Sequence, residues 1–307
     1  MTSANHKLNI NRSIRLSTSD RVIRVTTYVV MSIMALSCVL PFLLIIGSSF
    51  SSEESIRRTG FALIPPEFST TAYEIIARSP KSLIGAYILT ICLTAAGTLI
   101  GLFIIAMTGY ALQRRDYPYR NAISFYIYFT SLFSGGLVPF YLLMVQTYKL
   151  RDSYFAILLP MLMTPWLIIL MKNFVKAIPH EITESGKIDG AGDFQIFFRL
   201  IMPAMTPALA TVGLFLAIGY WNEWYYASLF LTSSVPYRPL QYQLYRVINQ
   251  IEALRNSYAG SVVRLTDLPG ETLKMATAVV ATGPIIFVYP FVQKYFIAGL
   301  TVGAVKG

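Results

Sequence analysis

The sequence has few of the residues that metal sites, disulfide frameworks and catalytic triads require. Its only cysteines, Cys38 and Cys92, both lie inside apolar runs. Its only histidines are His6, in a polar N-terminal stretch, and His180, beside a proline. We therefore expect no disulfide framework, no metal site and no Ser-His-Asp triad, and we predict that the chain is not an enzyme.

Charge is the second shortage. Charged residues make up 13% of the 307 residues, about half the share found in soluble domains. Hydrophobic residues make up 55% and the mean hydropathy is +0.56, so lipid must solvate much of the chain. The net charge of +10 comes from basic residues scattered between apolar runs. That pattern favours contact with anionic lipid headgroups over nucleic acid.

Six apolar runs predict an all-α, polytopic membrane protein with six transmembrane helices, since a helix that crosses ~30 Å of hydrocarbon needs about 20 residues. The runs are Thr26–Phe50, Leu83–Leu112, Ala122–Thr147, the short Phe155–Met171, Pro207–Leu231 and Thr272–Phe291. The third contains Gly135, Gly136 and Pro139, which should bend or unwind it. We expect this segment either to face the bundle interior, where protein or water satisfies its backbone, or to allow a close contact between helices.

Basic residues predict the orientation, because cytoplasmic loops are enriched in lysine and arginine. Residues 1–25 form a basic tail, and Arg114, Arg115 and Arg120 crowd the loop between the second and third runs. The tail, that loop and both termini are therefore predicted to lie inside. Two long outer loops, residues 51–82 and 232–271, either dock an external partner or only cap the bundle.

Residues 179–206, between the fourth and fifth runs, are polar and predict a helix, a turn and a second helix on the cytoplasmic side. Pro179 suits the entry to a helix, and Gly190 and Gly192 suit its end. Asp193 can cap the second helix. In that helix, an apolar face would be formed by Phe194, Phe197 and Phe198.

The spacing of this segment resembles the EAA loop of the integral membrane subunits of binding-protein-dependent ABC importers. That loop reads Glu-Ala-Ala, three residues, Gly, nine residues, Ile, one residue, Leu-Pro. Here the corresponding positions hold Glu184, Ser185, Gly186, Gly190, Leu200, Met202 and Pro203. Every spacing is kept and the departures are small or apolar, although Gly186 in place of alanine should loosen the first helix.

Further stretches resemble carbohydrate-type permeases of the smaller, maltose type. They are residues 293–307 and the motif Trp221-Asn222-Glu223-Trp224. Residues 134–141 and 187–194 resemble a subgroup associated with complex oligosaccharides, including uronate-containing glycans. The resemblance implies an ABC transporter type-1 transmembrane domain over residues 26–307 in the cell membrane.

The resemblance also implies that the EAA loop supplies a coupling helix, which docks on a separate ATPase subunit. The residues then expected to couple are Glu184, Ser185, Gly186, Asp189, Gly190, Ala191, Leu200 and Pro203. The chain lacks the Gly-x-x-x-x-Gly-Lys-Ser/Thr loop that cradles ATP, since Gly186-Lys187 is followed by Ile188. No cofactor is therefore expected on this chain, and ATP and Mg would bind two partner ATPases. The other implied partners are a second homologous permease, an extracytoplasmic solute-binding protein and a carbohydrate.

Glu223 is a candidate for a substrate path, because a carboxylate within a span marks a functional site by default. It stands among Trp221, Asn222, Trp224 and Tyr225, whose rings and polar groups can contact a sugar. An ionised Glu223 would disfavour an anionic sugar nearby. The alternative is an aromatic belt at the membrane interface with a structural hydrogen bond to the buried acid. Two other functions stay open: a permease for a non-sugar solute, and a secondary transporter that works alone.

Overall fold

The computed structural model describes residues 18–78, 80–258 and 270–286. Within them the regular structure is helical, and strand pairing is limited to an isolated antiparallel bridge between Ser51 and Phe68. The predicted all-α class is therefore confirmed. Most of the predicted tail, the end of the sixth run and the motif at residues 293–307 lie outside the described residues.

We number the helices in chain order. They are α1 Thr18–Ser49, α2 Glu53–Thr59, α3 Thr71–Ala77, α4 Pro80–Gln113, α5 Arg120–Leu132, α6 Leu137–Leu142, α7 Phe155–Met161, α8 Pro165–Lys176, α9 Glu181–Ile188, α10 Asp193–Ile196, α11 Met202–Ala204, α12 Thr206–Trp221, α13 Tyr225–Phe230, α14 Leu240–Tyr258 and α15, residues 271–286. Two π-helical turns, Leu143–Thr147 and Phe197–Ile201, continue α6 and α10. Helix α1 begins before the first apolar run, so it extends into the predicted tail.

Two helices are long and apolar enough to cross a membrane alone, α1 from Ser19 and α4. Three pairs reach that length only together and are bent: α5 against α6 by 112°, α7 against α8 by 41°, and α10–α11 against α12–α13 by 83°. The described residues thus hold up to five spans by length and composition. Each of the first five predicted runs coincides with one of them. The sixth run begins in α15 and ends outside the described residues, so the count of six stays a prediction.

The predicted break in the third run lies between α5 and α6. The chain leaves the helix at Phe133, and Gly136 has a φ of +90°. The break makes no close contact between helices, however, because residues 131–139 are exposed and a Cβ on Gly135 would meet nothing within 4 Å. Pro139 does not break the backbone, since it lies in the first turn of α6, where a missing N–H costs little. The break faces away from the chain's own core.

Helix α4 runs through that core, and its glycines let neighbouring helices approach closely. A Cβ on Gly97 would lie 2.3 Å from the ring of Tyr220 in α12, and one on Gly109 would lie 2.7 Å from Met171 in α8. The Tyr220 hydroxyl donates a hydrogen bond of 2.8 Å to the Leu158 carbonyl. Helices α4, α8 and α12 therefore form the centre of the structure.

The two long loops carry helices that pack on one end of this core. The Glu53 carboxylate in α2 accepts hydrogen bonds from the backbone N–H groups of Glu271 and Thr272, at the start of α15. Burial raises the pKa of Glu53, and the hydrogen bonds from Thr272 and Glu271 lower it to a net value below its ordinary range. The Leu240 N–H, which begins α14, donates to Thr90 Oγ1 at 2.9 Å. The loops therefore cap the bundle, and docking of an external partner on them stays a prediction.

We expect Gly97→Ala to destabilise the protein, because the new methyl group would overlap a Tyr220 ring that its hydrogen bond holds in place. Overpacking of this kind costs about 1–3 kcal/mol. The matched control is Gly213→Ala in α12, where a Cβ would meet Leu102 Cδ2 at 3.4 Å, an ordinary contact. Thermal unfolding in detergent measures both variants. Equal midpoints would contradict the packing of α12 on α4 described above.

Candidate functional site

Residues 181–204 form a projection of α9, a turn and α10–α11, which we call the helical hairpin. Two glutamates lie in the first turn of α9, where acids stabilise a helix. The helix ends at Ile188, and Gly190 turns the chain at φ +77°, a conformation that favours glycine. The Ala191 N–H closes the turn on the Gly186 carbonyl at 2.9 Å. The structure thus contains the helix, turn and second helix that the sequence predicts.

The start of the second helix differs from the prediction. Asp193 is the first residue of α10 and not its cap, because its Oδ1 atom is held by Arg114 Nη1 at 2.6 Å. The predicted apolar face is also incomplete, since Phe197 is buried while Phe194 and Phe198 are exposed. The Asp193 carboxylate, which the sequence predicted to cap α10, is therefore paired with Arg114 in another loop.

Two departures from the EAA pattern lie against each other. Gly186 is buried, and a Cβ there would lie 2.9 Å from Leu200 Cδ1 and 3.1 Å from Ile196 Cγ1. The longer leucine therefore occupies the space that the missing alanine methyl group leaves. Glycine still lowers the helix propensity of α9, but here it leaves no cavity between the two arms of the hairpin.

The tip of the helical hairpin is exposed. Ile188 is 85% exposed and Phe194 is 68% exposed, one on each side of the turn. Among the predicted coupling residues, Gly186 is buried, Ala191 and Leu200 are half-buried, and the exposed ones are Glu184, Ser185, Asp189, Gly190 and Pro203. Two large apolar side chains are therefore exposed beside the turn of the hairpin.

The hairpin is tied to the loop between α4 and α5. Arg114 contacts both carboxylate oxygens of Asp116, and Lys187 Nζ lies 2.7 Å from Asp116 Oδ2. Arg114 also holds Asp193, as described above. The hydrogen bonds from Arg114 and Lys187 hold the pKa of Asp116 well below its ordinary value, and the hydrogen bond to Asp116 raises the pKa of Arg114. These four charges join two segments that are distant in the sequence.

A second interruption lies between α12 and α13, at Asn222–Trp224. Glu223 is 9% exposed, and its Oε1 accepts a hydrogen bond from the N–H of Tyr226, in the first turn of α13. Trp221 is also buried, and its Nε1 donates to the Ala281 carbonyl at 3.3 Å. Glu223 therefore joins the two parts of the interrupted helix, and Trp221 ties the end of α12 to α15. This geometry corresponds to the structural alternative for Glu223.

The other three predicted path residues are exposed. Asn222 Oδ1 accepts a hydrogen bond of 3.3 Å from Gln241 Nε2, and the Trp224 ring stacks on Tyr245 with centroids 4.5 Å apart. Tyr225 is 44% exposed. The sequence motif is thus divided, with two side chains turned into the protein and three turned outward.

The two helix interruptions meet at one cavity of about 520 Å³. Its lining residues are Ser134, Gly135, Gly136, Leu137, Pro139, Phe140, Leu143, Tyr225 and Tyr226. Interrupted helices that face each other are a common way to build a solute site within a membrane. The cavity offers aromatic rings and irregular backbone, and the described residues that line it include no carboxylate, lysine, arginine or histidine.

Comparison with known proteins identifies the family. Residues 119–302 match the family described as the binding-protein-dependent transport system inner membrane component. The chain belongs to this family. Membership confirms the resemblance drawn from the EAA spacing, and it places the permease in the inner membrane part of a transport system.

Individual relatives are similar over nearly the whole permease. The polygalacturonan/rhamnogalacturonan transport system permease protein YtcP of Bacillus subtilis is 38% identical over 94% of this chain and 99% of its own length. Protein LplC of the same organism is 37% identical over 88% and 90%. A crystal structure of a bacterial ABC transporter involved in the import of the acidic polysaccharide alginate contains a chain with a TM-score of 0.77. That chain is 32% identical, over 92% of the permease and 99% of its own length.

Sequence analysis missed two parts of this site in the permease. It used Arg114 only as a sign of the cytoplasmic side, although the side chain is paired with two aspartates. It also did not predict that Phe140 and Tyr226 line one cavity with Tyr225. A signal existed for the first part, because opposite charges occur in two loops predicted on the same side. No sign of the shared cavity existed in the sequence, because only the packing of the helices brings the two interruptions together.

We expect Glu223→Ala to destabilise the permease, because it leaves the first N–H groups of α13 without their acceptor in a membrane-spanning segment. The loss of such a buried partner costs about 1–3 kcal/mol. Glu223→Gln keeps one acceptor oxygen and should cost less, and exposed Asn222→Ala serves as the control. Thermal unfolding in detergent separates the three variants. A Glu223→Ala protein with unchanged stability but abolished uptake would instead support the prediction that Glu223 lies on the substrate path.

Proposed function

We propose that the chain is a permease subunit of an ATP-driven importer that moves an oligosaccharide across the cell membrane. The observation that carries this proposal is the exposed helical hairpin with EAA spacing, in a chain of the binding-protein-dependent family. The names of its relatives support a carbohydrate as the solute. Family membership also argues against a secondary transporter that works alone and against an enzyme.

The substrate class we propose is a uronate-containing oligosaccharide. One relative's name specifies polygalacturonan and rhamnogalacturonan, and the solved structure concerns alginate. All of these polymers contain uronic acids. The objection that Glu223 would repel such a sugar loses force, because its carboxylate is buried and bound to the backbone. Among the residues that the structure describes, those that line the cavity between the two interruptions carry no acidic side chain.

Coupling would occur at the hairpin tip. Ile188 and Phe194 offer apolar surface to a partner, and Glu184 and Asp189 offer charge beside it. We propose that this surface docks on one of two ATPase subunits, which bind ATP and Mg. A second permease would complete the pathway, and an extracytoplasmic binding protein would deliver the sugar. We propose coupling roles for all the residues predicted from the EAA spacing. Gly186 and Leu200 would act by packing the two arms of the hairpin against each other.

We expect Gly190→Val to separate ATP hydrolysis from uptake. Valine is strained at φ +77°, at a cost of about 1–2 kcal/mol, which corresponds to about 5–30-fold in the population of the native turn. Gly192→Val is the matched control, because Gly192 has a φ of −70° and open space around a Cβ. The assembly of both permeases, two ATPases and loaded binding protein is reconstituted in liposomes, and sugar uptake per ATP is measured.

Normal uptake per ATP in the Gly190→Val assembly would count against the hairpin as the coupling element. A different result would overturn the whole function. If the purified permease alone moved the oligosaccharide into liposomes with no ATPase present, the chain would not be an importer subunit of this kind.

The path prediction concerns Tyr225, the most exposed aromatic ring on the cavity wall. Tyr225→Ala should raise the sugar concentration at half-maximal uptake about fivefold, since a lost apolar contact of about 1 kcal/mol changes affinity by that factor. Tyr126→Ala is the control, because Tyr126 is an exposed ring on α5 that does not line the cavity. Equal uptake curves for the two variants would exclude this cavity from the path.

A further inference from the structure

Besides the apolar packing of the helical hairpin on the helix core, two further links join them. The first is covalent, because α11 continues into α12 through a sharp bend. The second consists of four charges, Arg114, Asp116, Lys187 and Asp193, which we call the charge clamp. Lys187 belongs to α9 and Asp193 to α10, so each arm of the hairpin has its own contact with the loop after α4.

The charge clamp has the geometry of a fixed network. The Arg114 side chain is only 18% exposed, contacts Asp116 through two nitrogens and holds Asp193 through a third. Its guanidinium also lies 5.9 Å from the centre of the Tyr110 ring. Exposed ion pairs taken singly add little stability, whereas a bidentate arginine that shares its acid with a lysine fixes the relative position of three segments.

The charge clamp acts on the end of a core helix. Arg114 directly follows α4, which packs along α8 and α12. One turn earlier in α4, the ring of Tyr110 lies 5.5 Å from that of Phe197 in the hairpin. Apolar contact and paired charge therefore lie side by side at the same junction. A movement of the hairpin would displace α12 through the chain and α4 through the clamp.

We propose that the charge clamp makes α4 follow the helical hairpin, so that α4 and α12 move as one body when the hairpin is displaced. Its four members are positioning residues for coupling. This inference rests on the proposed function, because it gives the hairpin a second route into the bundle. It also gives Arg114 a mechanical role.

The test removes both arms of the charge clamp with Lys187→Gln and Asp193→Asn in the reconstituted assembly. We expect ATP hydrolysis stimulated by loaded binding protein to persist, while sugar uptake per ATP falls at least fivefold. Lys187→Arg should retain the native ratio. The matched control is Arg115→Gln, which removes a charge from the same loop without touching the four members.

A covalent link gives a second measurement in case the double variant assembles poorly. Asp116→Cys and Lys187→Cys are combined in a chain whose Cys38 and Cys92 are replaced by serine. A short, reducible thiol cross-linker should restore uptake per ATP, and reduction should abolish it again. If uptake per ATP had fallen because of a structural defect elsewhere, the cross-link would not restore it.

Three outcomes would overturn the proposed role of the charge clamp. They are a native uptake ratio in the double variant, an equal fall in Arg115→Gln, and no recovery on cross-linking. A wild-type assembly without ATP-dependent uptake would instead refute the proposed function itself, so the two failures are distinguishable.

Discussion

The contact between α4 and α12 is the constraint on which the rest of the structure depends. Tyr220 can lie flat on α4 because Gly97 has no side chain, and the hydrogen bond to Leu158 fixes the ring there. Helix α12 has 16 residues, which corresponds to ~24 Å. One of its ends continues from the helical hairpin, and the other leads into the interruption at Asn222–Trp224. Under the proposed function, a displacement at the hairpin would be carried along this helix to the wall of the cavity.

Interrupted helices in a membrane need internal partners for their free backbone groups. At the α12–α13 interruption this partner is the Glu223 carboxylate, which accepts a backbone N–H of the following helix. The side-chain oxygen thus caps the start of the following helix. This arrangement gives the acid in the aromatic motif a structural role. The same position would be difficult to fill with a neutral aliphatic residue.

The sequence predicted the parts of the fold that depend on local pattern. Hydropathy located the first five spans, glycine at position 190 located the hairpin turn, and the EAA spacing indicated the family. It did not predict the pairing of Arg114 with Asp193, because 79 positions separate them in the chain. A carboxylate next to a possible helix start reads as a cap, and only the packed structure shows a stronger partner. Likewise, a glycine pair predicts a break but not the direction that the break faces.

That direction has a consequence for the assembly. Around Gly135 the hydrogen bonds are local, from the Gly136 N–H to Ser134 Oγ and from the Phe140 N–H to the Gly136 carbonyl. Irregular backbone is not tolerated against lipid, yet this segment is exposed on the isolated chain. It must therefore be covered by protein or line a water-filled space. Because Tyr225 and Tyr226 lie on the same cavity, a second permease facing this side would enclose a path with aromatic walls, and neither chain would form that path alone.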